Sequence, residues 1–279
     1  MCAVMEFLPV AVVFILSGVD MKKICLFYFS GTGMTKYIID RLSGEFEKHR
    51  VSLDCFKIDN VDIHNVAHTE YDIMGIAYPI HSFNAPKIVI NFVKRLPKVS
   101  NMDIFIIPTA GEEHKINYAS SDLLIKKLNK KGYKVFYNKL IEMPNNFIIK
   151  FSDEKVSIIL ERAKGDIPNI AKSILELKPC FMEKRIGSKV ISFFGRIEWL
   201  GAPIMSKFYY VKEDCIRCGK CVNSCPNKNI IMNEKAISFK WCCGMCMRCI
   251  YQCPKNTIGV RQPFKFVRFD EWYDSKLFK

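Results

Sequence analysis

The sequence predicts an α/β protein: a doubly wound, five-stranded parallel sheet, followed by a smaller α+β domain built around cysteine. Three observations carry this. Short apolar runs alternate with amphipathic helical stretches from Lys22 to about residue 178, the pattern of a parallel sheet with helices on both faces. A Gly/Ser/Thr loop stands between the first run and the first helix. Two cysteine runs of identical spacing lie near the C-terminus.

Residues 1–20, MCAVMEFLPVAVVFILSGVD, come first. Their apolar run is short for a bilayer span and contains Pro9, and Glu6 stands where a secretory signal carries basic residues. They read as an N-terminal extension, with a membrane anchor as the alternative. The first domain then spans residues 21–180. Ile24–Phe29 form a continuous apolar run, as in a strand buried on both faces. Further strands are expected at 51–58, 71–78, 103–111 and 133–144, and helices at 86–95, 119–131 and 153–178.

The loop after the first strand is SGTGMT, Ser30, Gly31, Thr32, Gly33, Met34 and Thr35. Amide groups at a helix N-terminus attract an anion, glycines permit close backbone approach, and the hydroxyls add donors, so the loop suits a phosphate. The third glycine of a dinucleotide fingerprint is replaced by Lys36, and no Walker motif is present. In such sheets ligands sit beyond the C-terminal strand ends. Two more loops arrive there, AYPIHSFNAPK (77–87) and PTAGEEHKINY (108–118).

Residues 181–208 form a connector. Ile186, Val190, Phe194, Ile197 and Leu200 recur at near-helical spacing, with Lys189 and Arg196 among them. A basic amphipathic helix can lie on a membrane, but the reading adopted is that this stripe packs the two domains together. Residues 263–279 form an aromatic tail expected to dock on a domain.

The second domain, residues 209–262, contains CIRCGKCVNSCP from Cys215 and CGMCMRCIYQCP from Cys243. Both are C-x2-C-x2-C-x3-C-P, and Pro226 is echoed by Pro254, so this is an internal repeat. Zinc sites use paired C-x2-C with a long spacer instead. Three thiolates at this spacing wrap one face of a four-iron cube, and the fourth cysteine of each run serves the other cube. One [4Fe-4S] cluster is therefore assigned to Cys215, Cys218, Cys221 and Cys253, the second to Cys243, Cys246, Cys249 and Cys225. Cys242 has no counterpart in the first run and is read as a packed neutral thiol, as are Cys2, Cys25, Cys55 and Cys180.

The chain has 279 residues, 49% of them hydrophobic, with thirteen cysteines and a formal net charge of +14. That many cysteines without a convincing export signal point to a reducing, cytoplasmic setting and to metal chemistry. The basic charge is spread along the chain, and anionic cofactors would remove roughly six units of it. It suits acidic redox protein partners; no nucleic acid is expected, nor a membrane partner.

The cysteine segment resembles the bacterial two-cluster ferredoxins. The first domain resembles flavodoxin, with SGTGMT close to that family's phosphate loop. Together they resemble the fused flavodoxin–ferredoxin proteins of anaerobes. The resemblance implies strand order 2-1-3-4-5 and FMN, its phosphate held by residues 30–35. The ring would lie between the other two loops, against Tyr78, Pro79, Phe83, Thr109, Ala110 and Gly111. It also implies electron transfer between FMN and the two clusters. The alternative is a flavin-dependent reductase of a small substrate, placed beside His81 or Glu112–His114.

Overall fold

The structure, a computed structural model, describes residues 22–66, 70–112, 114–145, 151–183 and 186–261. The readings on residues 1–20 and 263–279 lie outside these. The first domain is built from β1 (Lys23–Tyr28), α1 (Met34–Lys48), β2 (Ser52–Lys57), β3 (Ile73–Pro79) and α2 (Lys87–Arg95). It continues with β4 (Met102–Ala110), α3 (Asp122–Asn129), β5 (Tyr133–Asn138), β6 (Ile141–Glu142), α4 (Asp153–Leu175) and β7 (Cys180–Phe181). The sheet runs β2-β1-β3-β4-β5-β7, with β6 beside β4, and every pairing is parallel. This is the flavodoxin-like order with an addition: the sheet has seven strands, not five. The expected strand 133–144 breaks after Asn138, and its second piece returns to pair with Thr109 and Ala110 of β4. The two-residue β7 extends the edge.

The period-2 alternation of β1 explains its unbroken apolar run. Ile24, Leu26 and Tyr28 enter the core under α1 and α4, while Cys25, Phe27 and Phe29 enter the core under α2 and α3. Both faces are covered from Ile24 onward, so no position of β1 after the exposed Lys23 tolerates a charge. The C-terminal strand ends carry the phosphate loop and the loops after β3 and β4 to one rim.

The connector holds α5 (Ile186–Gly195) and α6 (Glu198–Met205). The second domain follows with β8 (Tyr209–Val211), α7 (Lys220–Ser224), β9 (Ile230–Met232), β10 (Ile237–Phe239), α8 (Arg248–Tyr251) and β11 (Ile258–Val260). β8 pairs with β11 and β9 with β10, both antiparallel. The sequence repeat is also a backbone repeat. Left-handed residues recur at matched positions: Arg217 and Met245, Gly219 and Met247, Lys228 and Asn256. The apolar core here is small, centred on Met205, Tyr209, Ile230, Phe239, Met247, Ile250, Ile258 and Val260, with cysteines packed around it. So small a core leaves much of the domain's cohesion to whatever its cysteines bind.

The connector departs from expectation. Its buried residues on α5 are Ser188 and Ser192, while Ile186, Val190, Phe193 and Phe194 face outward. The apolar stripe does not pack the domains together; on α5 it is Ser192 that holds the helix to the first domain, through Asn84 and Ala119.

Candidate functional site: two cysteine cages against a phosphate loop

The cysteines gather in two groups. Cys215, Cys218, Cys221 and Cys253 ring one cavity of about 20 Å³. Cys225, Cys243, Cys246 and Cys249 ring another of about 20 Å³. The fourth cysteine of each run has crossed to the other run's group, because the repeat folds as a pseudo-symmetric pair. Among the described residues, no three His, Cys, Asp or Glu side chains gather on a point to hold a single metal ion. Thiols ringing a small cavity instead match the corners of an iron–sulfide cube.

Backbone amides are aimed at the sulfurs. The N–H groups of Arg217, Asn229, Met245 and Thr257 donate to Sγ of Cys215, Cys225, Cys243 and Cys253, at 3.4, 3.2, 3.4 and 3.4 Å. Such bonds stabilise charge on thiolate sulfur and tune a cluster's potential. The two groups differ in exposure. Burial pushes the Cys243 thiol up to about 12 and Cys249 well above the ordinary value. At Cys253 burial also pushes upward, but hydrogen bonds from Thr257, Lys255 and Asn256 outweigh it and the value falls. Cys218 is exposed.

Cys242 belongs to neither ring. It is exposed rather than packed, and its N–H donates to Asn229 Oδ1 at 2.8 Å. The other unassigned thiols vary: Cys25 is buried, Cys180 half-buried and Cys55 exposed, its place on edge strand β2 leaving one side open.

The phosphate loop faces a cavity of about 190 Å³. Gly31, Thr32 and Met34 line it, together with Pro79 at the end of β3, Ile80, His81 and Ser82 after it, and Thr109, Ala110 and Gly111 at the end of β4. Ser30, Gly33 and Thr35 shape the loop without lining the cavity. Ser30 Oγ accepts from the Gly33 and Lys36 amides, at 3.2 and 3.4 Å. Thr35 Oγ1 is bonded to Thr109 Oγ1 at 2.9 Å, tying the loop to β4. Gly33 caps α1 with φ 109°.

Tyr78 and Phe83 do not line this cavity. Tyr78 is fully buried under α2 and α3, its hydroxyl 2.8 Å from Ser121 Oγ. Strand alternation aligns it with Met74 and Ile76, so it points into the helix layer and not at the rim. Phe83 sits in the turn closed by His81 and Asn84, with φ 61°, and is half-buried outside the cavity. His114 is also remote: its Nδ1 accepts from Ile116 N and caps a short 3-10 turn.

Sequence reasoning missed Met143, Pro144 and Asn145 after β6, Glu198 on α6, and Met245, Cys246 and Met247 from the second domain, all of which line this cavity. The domains meet here in backbone contact. A Cβ on Gly31 would lie 2.1 Å from the Cys246 carbonyl oxygen, so only glycine permits this seat. Arg248 fastens it. Its Nη2 donates to the Ser30 carbonyl at 2.8 Å, its Nη1 to the Ser224 carbonyl at 3.1 Å, and Nη1 pairs with Asp59 Oδ2 at 2.5 Å. The Arg248 and Asp59 side chains are 4% and 5% exposed.

A second cavity, about 300 Å³, adjoins the first. Phe29, Ile88, Trp199 and Trp241 give it apolar walls, and Cys242, Cys243 and Cys246 give it an edge on the second cysteine group. His81 and Glu198 line both cavities. His81 Nδ1 and Glu198 Oε1 are 3.8 Å apart, and Glu198 Oε2 is buried without a hydrogen-bond partner. Burial pushes Glu198 up to about 7 against a Ser82 hydrogen bond, and pushes His81 down to about 4 against a hydrogen bond to the Gly244 backbone. Both are neutral near pH 6.

Two cages of four thiols beside a flavodoxin-like rim define an iron–sulfur redox protein. Residues 207–254 match the 4Fe-4S dicluster domain family. The chain is thus a flavodoxin-like domain fused to a 4Fe-4S dicluster domain, with a redox electron-transfer role. Solved structures similar to the first domain include a short-chain flavodoxin associated with a non-canonical PDU bacterial microcompartment, at 11% identity over 56% of this chain and 98% of that one, TM-score 0.43. Oxidised flavodoxin 2 from Bacillus cereus is similar at 11% identity over 55% and 98%, TM-score 0.41. Two-electron reduced Megasphaera elsdenii flavodoxin is similar at 15% identity over 53% and 98%, TM-score 0.39. The parallel order β2-β1-β3-β4-β5 is what defines the fold of the first domain. No curated protein sequence matches the chain.

Three outcomes follow. Cys242→Ser is expected to keep the full iron content, about eight per chain, whereas Cys249→Ser loses about half, measured by iron assay on anaerobically purified protein. Arg248→Met strands the Asp59 carboxylate in the interior at a cost of about 3–5 kcal/mol, seen as a lower melting temperature and faster proteolysis of the connector. Between about pH 4.5 and 7 the folded chain holds an extra proton on Glu198, so that contribution falls as pH rises. From about pH 4 to 6.5 it holds one fewer on His81, so that contribution rises. The two oppose each other where they overlap. Glu198→Gln leaves only the rising limb, and its melting temperature relative to the parent should climb from about pH 5 to 6.5 by anaerobic scanning fluorimetry.

Proposed function

We propose that the chain moves electrons internally between two [4Fe-4S] clusters and an FMN held in the 190 Å³ cavity. One observation carries this: Cys246, assigned to the second cluster, lines that cavity and seats its carbonyl on Gly31 of the phosphate loop. The residues present fit a flavin phosphate and ring. Gly31 and Thr32 present loop backbone, Ile80 and His81 offer one face, and Met245 and Met247 offer polarisable thioethers from the other domain. A flavin, when bound, accepts electrons singly or in pairs and so matches one-electron carriers to two-electron chemistry.

Exposure orders the path. The first cluster is reached at exposed Cys218, and the second is enclosed against the flavin cavity. A one-electron redox protein with an acidic face, drawn by the basic charge, would exchange electrons at the first cluster. The second centre then passes them through the Cys246 edge. Fusing the modules makes this step intramolecular and independent of protein concentration.

A second reading has its own observation, the 300 Å³ cavity bordered by His81, Glu198 and the second cysteine group. It would accommodate a small substrate reduced by the flavin. The test for both is anaerobic stopped-flow on protein with measured iron and FMN. Reduced clusters should reduce the flavin at a rate that does not change with protein concentration. A rate proportional to concentration, or protein that retains iron but binds no FMN, overturns the internal relay. Turnover of a small acceptor that Trp199→Ala alters, with the relay rate intact, would establish the second reading.

A further inference from the structure

We propose that the outward face of α5 and α6 is a docking surface for a bilayer containing anionic lipid. The connector is inverted relative to an ordinary surface helix. Its inner side is Ser188 and Ser192, 4% and 2% exposed. Ser192 Oγ donates to Asn84 Oδ1 at 2.9 Å, and Asn84 Nδ2 donates to the Ser192 carbonyl at 2.6 Å, both buried. Rolling the helix to hide its apolar side would leave those buried groups unpaired, which costs more than the bonds themselves contribute. The orientation is therefore fixed by polar contacts, and the apolar side is left facing outward.

That side is extensive. Ile186 is 82% exposed, Phe193 63% and Leu200 71%, and Phe194, Ile197 and Ile204 are exposed as well. So many large apolar side chains exposed on two successive helices mark an interaction site. Charge selects the occupant. Lys189 and Lys207 are exposed and Arg196 is half-buried, while the one acid of these two helices, Glu198, is turned inward to His81. Lys184 and Arg185 precede α5 in the sequence. Trp241, 63% exposed, lies under the Lys207 ammonium at 4.7 Å. Bulky aliphatic and Phe side chains on helices whose exposed charges are all cationic, with Glu183 the one exposed acid just before them and a Trp at the border, suit acyl chains below and anionic headgroups around. The inner side of α6, through Trp199 and Ala202, lines the 300 Å³ cavity, so the docked helix would lie between bilayer and redox centres. Among the described residues no helix is long and apolar enough to cross a membrane. The expectation of no membrane partner assumed that the connector's apolar stripe was spent between the domains.

The test is anaerobic flotation of the full chain with phosphatidylcholine vesicles, with and without about one-third phosphatidylglycerol. The protein should float with the anionic vesicles, less with neutral ones, and less again in about 0.5 M salt. The double variant Phe193→Ser, Leu200→Ser should lose about tenfold or more of that binding. Both positions are exposed, so its iron content and visible spectrum should match the parent's. Flotation that survives the double variant but is lost in Val12→Glu would overturn the proposal in favour of residues 1–20. Absence of flotation, with self-association that the double variant abolishes, would assign the face to a second copy instead. Absence of both also overturns it.

Discussion

Arg248 is the contact on which the arrangement depends. It lies in the sequence between Cys246 and Cys249, two thiols of one cage, and its guanidinium reaches the carbonyl that opens the phosphate loop and a carboxylate after β2. Removing two charges from water is costly unless geometry and further hydrogen bonds compensate. Here the guanidinium uses both terminal nitrogens on Asp59, Ser30 and Ser224. The pair acts less as a source of stability than as a registry device: only one seating of the second domain satisfies it. That seating puts the Cys246 carbonyl where any side chain on Gly31 would stand.

The pseudo-symmetric repeat thereby becomes functionally asymmetric. Both halves share spacing, left-handed positions and amide-to-sulfur bonds. One half meets the first domain and is enclosed; the other keeps Cys218 exposed. Exposure and hydrogen bonding set iron–sulfur potentials, so two cages of the same composition need not be equivalent. The left-handed turn taken by Gly219 in one half is taken by Met247 in the other. A thioether there costs backbone strain, and in return it reaches the shared cavity.

Much of the first domain could be read in advance because each cue was local. Apolar runs, helical periodicity and the SGTGMT loop depend on neighbours within one element, and strands and helices fall close to their expected positions. Tyr78 shows where a legible cue was passed over. The alternation Met74, Ile76, Tyr78 already assigns it to the face beneath α2 and α3. Phe83 and the connector show the limit. A left-handed turn redirects Phe83, and nothing within α5 indicates that its serines, with Asn84 as partner, would turn inward instead of its phenylalanines.

The sequence by itself determined the chemistry of the cages, because cubane ligation depends on spacing along the chain and on a repeat that makes each run complete the other. It also determined the layered first domain, because covalent order and period-2 burial leave few ways to cover a parallel sheet. Only the tertiary structure decided which cage meets the loop, which residues wall the cavity and which face of the connector stays outside. Those depend on pairs far apart in the chain, Arg248 with Asp59, Cys246 with Gly31, Ser192 with Asn84, whose partners no local pattern specifies.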